Sequence, residues 1–149
     1  MNDGAAAVVI ASRTYANKNK LMPLARIVGY TQAAVEPKYL FAAPAHAIPK
    51  LLRKISWTLD DVDLIELNEA FAAQVLADGY ALADDGWNWD KVNVNGGAIA
   101  LGHPLGASGA RVLTTLIYAL KDRGLQRGIA SLCLGGGEAV AMLVERGDE

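Results

Sequence analysis

Asn93-Val94-Asn95-Gly96-Gly97-Ala98-Ile99-Ala100-Leu101-Gly102-His103-Pro104-Leu105-Gly106-Ala107-Ser108-Gly109-Ala110-Arg111 is the stretch that decides how this 149-residue chain is read. It is entered from a short predicted strand, Val92 to Val94, and runs out into an amphipathic helix. Between them lie Gly96, Gly97, Gly102 and Gly106, with His103 followed at once by Pro104. Glycines at this density let backbone approach backbone or a ligand closely. Proline fixes φ directly after the histidine and disfavours helix at His103 itself. The imidazole is therefore expected on a constrained loop at a strand-to-helix junction, where open α/β sheets bind their ligands.

Downstream, Val112, Leu113, Leu116, Ile117 and Leu120 repeat at helical spacing, and Gly124 stops the helix. Ile129 to Leu134 reads as a strand, Gly135 to Gly137 as a turn, and Ala139 to Val144 as a last strand that hairpins back. Upstream, Val62 to Leu67 reads as a buried strand. Asn68 to Asp84 reads as a helix with Phe71, Val75 and Leu76 inward, weakened by Gly79. Leu24 to Val35, closed by Pro37, is a longer strand. Within Tyr39 to Ile55, Pro44 and Pro49 favour short helix starts over one long helix. Ala5 to Ile10 is an apolar run of strand length with no cap ahead of it. It is read as an orphaned strand within a segment 1–20, the alternative being an ordinary first strand of a small sheet. Strands alternating with helices imply an α/β fold, a mixed, mostly parallel sheet covered on both faces, with the terminal hairpin antiparallel.

Composition narrows the function classes. Hydrophobic residues make up 52% and charged ones 20%, so the chain is expected to bury a core in a single domain. A formal net charge of −2 offers no basic footprint for nucleic acid. The apolar runs are too short to span a bilayer. One cysteine cannot build a disulfide framework and suits a reducing, cytoplasmic setting. With two histidines beside that one cysteine, zinc-ligand spacing is absent, and no metal is expected.

Three groups carry candidate chemistry. His103 is the first, since an imidazole as a chemical group can take or give a proton near neutral pH. Cys133 ends a predicted buried strand, where a cysteine is ordinarily an inert core residue. Gly135-Gly136-Gly137 follows it, and bare backbone N–H groups beside a thiol can cradle an oxyanion. A neighbouring histidine or backbone dipoles would lower the thiol pKa, and on chemistry alone Cys133 reads as the nucleophile of a Cys–His pair. Asn68 stands directly ahead of a predicted helix and reads first as its N-cap. The glycine spacing Gly102, Gly106, Gly109 fits neither a dinucleotide fingerprint nor a phosphate loop, and no lysine follows.

Taken together, the Gly-His-Pro loop at Asn93 to Arg111, Asn68-Glu69-Ala70-Phe71 and Cys133-Leu134-Gly135-Gly136-Gly137 resemble the thiolase family, the enzymes that form or cleave β-ketoacyl-CoA. The motifs come in the family's order and the resemblance covers essentially the whole chain, but only the C-terminal half of a family member. It implies a three-layer α-β-α thiolase-like domain over 21–149 and a preceding half that carries a nucleophilic cysteine. Other condensing enzymes also use Cys, His and Asn, and Gly-His-Pro-Leu-Gly-Ala-Ser-Gly with Cys-x-Gly-Gly-Gly favours thiolase over them. Phe41 to Ala47 departs from the family pattern by carrying Pro44 and His46 where glycines are usual.

The resemblance also implies roles. His103 would deprotonate the nucleophilic cysteine and help bind a thioester oxygen. Cys133 would be the acid/base that moves the α-proton, overturning the nucleophile reading, with the Gly135 N–H in an oxyanion hole. Asn68 would hold a water completing a second oxyanion hole, and Ala70 and Phe71 would line the pantetheine channel. The implied parent is an acetyl-CoA C-acyltransferase of fatty acid metabolism, a homo-oligomer when intact, with acyl-CoA and coenzyme A as substrates and no separate cofactor. A chain with one thiol is expected to be inactive alone. The alternatives are a non-catalytic domain binding CoA or a partner, and an independent Cys–His hydrolase, for which no third orienting group can be assigned.

Overall fold

The computed structural model describes residues 2–147, so the outer ends of the expected segments 1–20 and 21–149 lie outside the described residues. In chain order the regular elements are α1 (Arg13–Lys18), β1 (Ala25–Ala34), α2 (Ala43–Ile55), β2 (Leu64–Leu67), α3 (Ala72–Ala81), α4 (Ala98–Leu101), α5 (Leu105–Asp122), β3 (Arg127–Cys133) and β4 (Glu138–Arg146). The four strands form one mixed sheet in the order β1-β4-β3-β2. β2 and β3 are parallel, with Leu67 opposite Ser131. β3 and β4 form the antiparallel hairpin, and β1 adds to its far side, also antiparallel.

Alternation along the strands feeds two apolar layers, because successive side chains leave a strand on opposite faces. Ile65, Leu67, Ile129 and Leu143 pack with Ile48 and Leu51 of α2 on one face. Leu64, Ala130 and Val144 pack with Val112, Leu116 and Leu120 of α5 on the other. The result is the expected three-layer α-β-α arrangement with its antiparallel C-terminal hairpin. The parallel β2–β3 pair brings the C-terminal ends of two strands to one edge, and the site is built there.

Three local expectations change. Val92 to Val94 contributes only a single parallel bridge, Ile65 to Val92, because Asn93 turns to a φ of 47° and leaves extended geometry. Pro49 does not split α2. Pro44 sits in its first turn, and the helix runs on through Pro49 because Ile48, Leu51 and Leu52 are buried on its inner stripe. In α3 the inward side is Gln74, Val75, Asp78 and Gly79, while Phe71 is 60% and Leu76 48% exposed. Gly79 has a packing reason, since a Cβ there would stand 2.3 Å from the Trp89 ring. Ala5 to Ile10, read as an orphaned strand, is exposed and pairs with no strand of the sheet among the described residues. Just ahead of it the chain meets the histidine loop, where a Cβ on Gly4 would stand 2.6 Å from Pro104 Cγ.

Candidate active site

The histidine loop is clamped to the tip of β2 by side chains that imitate backbone. Asn93 accepts from the Leu67 N–H through Oδ1 (2.9 Å) and donates through Nδ2 to the Leu67 carbonyl (2.8 Å). In effect its amide replaces the strand neighbour that its positive φ has removed. The same Nδ2 donates to Glu69 Oε1 at 3.1 Å, and Glu69 Oε2 accepts from the Ile99 N–H at 2.9 Å in the first turn of α4. A carboxylate at that position satisfies an orphan helix donor and suits the helix dipole. Gly97 has to lack a side chain here, because its Cβ would fall 2.2 Å from Glu69 Cδ.

From α4 the chain passes Gly102, at φ 96°, and presents His103 ahead of α5. Ser108, fully buried one turn into α5, lies with Oγ 2.6 Å from His103 Nδ1 and 3.3 Å from the Pro104 carbonyl. The serine has one hydroxyl proton, and giving it to the carbonyl leaves Oγ free to accept from Nδ1–H. That tautomer leaves a lone pair on Nε2. Asn68 Nδ2 stands 3.5 Å from that nitrogen, a long contact in which the amide would be the donor. Asn68 is only 1% exposed, and its Oδ1 has no hydrogen-bond partner among the described residues.

This geometry removes the capping explanation for Asn68. α3 begins at Ala72, its N-cap is Phe71, and no side chain caps it. Asn68 follows β2 directly and points to the α5 side of the sheet edge, toward His103. Phe71, expected to lie in the core on its sequence alone, stands exposed with its ring edge-on to Phe41, centroids 5.1 Å apart. Ala70, half-buried beside it, joins β2 to α3.

Cys133 is the last residue of β3, and the Ser131 carbonyl two positions earlier accepts from the Asn68 N–H at 2.9 Å. Cysteine and asparagine therefore share one edge of the sheet. By the pleat, Cys133 leaves β3 on the same face as Ile129, toward α2 and α3, while Leu132 faces α5. No hydrogen bond among the described residues joins Cys133 to His103. The thiol also departs from the expected direction. Burial pushes its pKa up, its own backbone opposes this, and the charge of Asp78 raises it further. Gly135 lies in the hairpin turn, where its Cβ position faces open space and its N–H has no partner among the described residues.

The sequence reading missed a polar layer below the histidine. Glu66, on the same face of β2 as Asn68, is 2% exposed and meets Arg111 of α5 at 3.7 Å. Neither carboxylate oxygen and no guanidinium nitrogen has a hydrogen bond among the described residues. Burial pushes the Glu66 carboxyl up to about 7, with Arg111 opposing and Glu69 adding. Arg111 and Ser108 stood in the quoted stretch three residues apart on the expected helix, and that spacing was the available signal. Glu66 and Asn93 had none. Among the described residues, no cluster of His, Cys, Asp and Glu could hold a metal, and no helix is long and apolar enough to cross a membrane.

Comparison with known proteins bears on this arrangement. Residues 21–146 match the family model described as the thiolase C-terminal domain. The chain is 55% identical over 147 residues to the cytosolic acetyl-CoA acetyltransferase of Mus musculus, covering 99% of this chain and 36% of that protein. The crystal structure of the Bacillus anthracis acetyl-CoA acetyltransferase superposes with a TM-score of 0.85 at 52% identity, over 91% of this chain and 34% of that one. Human mitochondrial 3-ketoacyl-CoA thiolase in complex with CoA gives 0.85 at 43% identity, over the same 91% and 34%. The chain thus spans about a third of the length of these relatives.

Proposed function

The chain belongs to the thiolase family, as its C-terminal domain, and from that premise we propose that it supplies the proton-handling half of an acyltransferase acting on acyl-CoA thioesters. The observation that carries the reading is the approach of Asn68 Nδ2 to the lone-pair nitrogen of His103, at 3.5 Å and away from bulk solvent.

In this reading His103 Nε2 takes the proton of a cysteine thiol on a preceding half of the protein, and that thiolate attacks the β-carbonyl of a 3-ketoacyl-CoA. A C–S bond forms, the bond between the α- and β-carbons breaks, and the electron pair stays on the α-carbon of the departing thioester. Cys133 delivers its proton to that carbon; the thiol of free CoA then gives its proton to the Cys133 thiolate and attacks the acyl carbon, the C–S bond to the enzyme breaks, and the released cysteine recovers its proton from His103. Condensation is the same sequence reversed. A thiol whose pKa is pushed up is predominantly protonated at neutral pH, which suits donation. Asn68 with His103, and the Gly135 N–H, would meet thioester oxygens as negative charge develops. Ala70 and Phe71 line the approach of the pantetheine arm, and the setting is cytoplasmic.

The experiment mixes the purified chain with acetoacetyl-CoA and CoA, alone and with a separately produced N-terminal half of a relative, and follows loss of the β-ketothioester absorbance. The chain alone is expected to show no turnover, since Cys133 is its only thiol. Loss of one catalytic nucleophile costs on the order of 10⁴ to 10⁶ in rate. Activity that returns with the added half and falls with His103→Ala supports the assignment. Full turnover by the chain alone, abolished by Cys133→Ala, would give that cysteine the nucleophilic role instead.

A further inference from the structure

Asn68 is held by very little of its own side chain. It is 1% exposed, its Oδ1 has no hydrogen-bond partner among the described residues, and its Nδ2 contact with His103 Nε2 is long at 3.5 Å. An amide held so loosely keeps its place only if the backbone on both sides of it is fixed by other groups.

Both sides are fixed, and to the same loop. Ahead of Asn68, the Leu67 N–H and carbonyl are taken by the Asn93 amide at 2.9 and 2.8 Å. The Asn93 N–H also donates to the Ile65 carbonyl at 2.9 Å, so Asn93 is itself pinned to β2. Behind Asn68, Glu69 spans the gap: Oε1 accepts from Asn93 Nδ2 at 3.1 Å and Oε2 from the Ile99 N–H at 2.9 Å. Only the rest of α4 and Gly102 separate Ile99 from His103. The carboxylate thus ties the residue after Asn68 to the segment that delivers the imidazole.

The bridge requires an acid. Both partners of Glu69 present N–H groups, so both of its oxygens have to accept. A carboxylate does this, whereas a carboxamide of the same shape would turn its NH₂ toward one of the two donors. Gly97 leaves the room, since a Cβ there would overlap the Glu69 carboxylate.

We propose that Glu69 is a positioning residue for the Asn68–His103 pair, its carboxylate fixing the separation between Asn68 and the loop that carries the imidazole. This rests on the reading of that pair as a site for a thioester oxygen, but the geometry itself is measurable without substrate.

The test uses Glu69→Gln, which keeps the size of the side chain and loses one acceptor. In ¹⁵N-labelled chain carrying His46→Gln, the parent is expected to show cross-relaxation between the Asn68 side-chain amide protons and the His103 ring protons. Glu69→Gln should lose that signal while the backbone amide spectrum stays that of a folded protein. A carboxylate that only caps α4 would lower the urea midpoint and leave the signal intact, so its persistence in folded Glu69→Gln would overturn the proposal. Should Glu69→Gln not fold, Gly97→Ala displaces the unaltered carboxylate; the same signal should be lost, and its persistence would count equally against the idea. With the added N-terminal half, Glu69→Gln should lower kcat about 10- to 100-fold and leave KM near the parent's; a rise in KM alone would also overturn it. If the parent shows no turnover with that half, the acyltransferase reading fails, and the cross-relaxation result still decides the role of Glu69.

Discussion

His103 Nδ1 lies 2.6 Å from the Oγ of fully buried Ser108, and this contact sets which ring nitrogen is free to act. With Nδ1–H pinned on serine, the lone pair of Nε2 faces Asn68 at 3.5 Å. A ring that presents its base to the site has to be held in one tautomer, and the hydrogen bond at the other nitrogen is the usual means. The chain contains two histidines, so ¹⁵N spectra can be assigned with His46→Gln. The Nδ1–H form is expected to dominate for neutral His103. Ser108→Ala should shift the population toward Nε2–H, and unchanged ring shifts would show that serine does not select the tautomer.

The clamp on the histidine loop can be probed at its tightest point. Gly97→Ala drives a methyl into the Glu69 carboxylate, so Glu69 must release Asn93 or Ile99. A loss of about 1–3 kcal/mol in urea denaturation is expected, as for other overpacked sites. Gly106→Ala is the control, since nothing lies within 4 Å of its Cβ position. In the first turn of α5 it should be neutral or up to about 1 kcal/mol stabilising. Equal effects at the two glycines would mean that the carboxylate yields without cost.

Stability should fall as pH rises from 5 to 8. The folded state binds the Glu66 proton more tightly than the unfolded chain does, since burial lifts this carboxyl from 4.5 to about 7. Its contribution is therefore complete below the lower value and lost as pH climbs through the higher one, about 3 kcal/mol in all. Asp78 acts in the same direction between 3.8 and about 6. Asp61 and Glu145, whose folded pKa values are depressed, lose their contribution only in more acidic solution, outside this range. Replacing the buried pair together, Glu66→Leu with Arg111→Met, avoids leaving one charge alone. The double variant should flatten the decline of the urea midpoint between pH 5 and 8, and a slope equal to the parent's would refute the assignment.

Ile99, Leu101 and Leu105 stand 63%, 57% and 76% exposed around the histidine loop. Clustered apolar side chains of this size favour association in water. Sedimentation of the chain is expected to show concentration-dependent self-association, reduced by Leu101→Ser with Leu105→Ser. A monodisperse monomer at all concentrations would show that these side chains are tolerated singly.

Much of the fold was legible because its signals are local. The 3.6-residue repeat from Val112 to Leu120, the turn at Gly135 to Gly137 and the β-rich run of β1 each report their own conformation. His103 and Cys133 were singled out because Gly-Pro and Gly-Gly-Gly surround them with backbone that few core residues need. Pro49 misled because its local penalty is smaller than the burial of Ile48, Leu51 and Leu52 around it.

Local patterns were enough for most of the strands and helices and for the loop that presents the histidine, since those depend on near neighbours in the chain. The placement of Asn68, which local rules made a helix cap, came from packing. Its neighbour His103 is 35 residues away in sequence and becomes adjacent only when β2 packs beneath α5. The same holds for Glu66 with Arg111 and for Asp78, whose carboxylate accepts from the Ala45 N–H. Each partnership depends on desolvation, and a side chain is desolvated by whatever the rest of the chain brings against it, which no local pattern encodes.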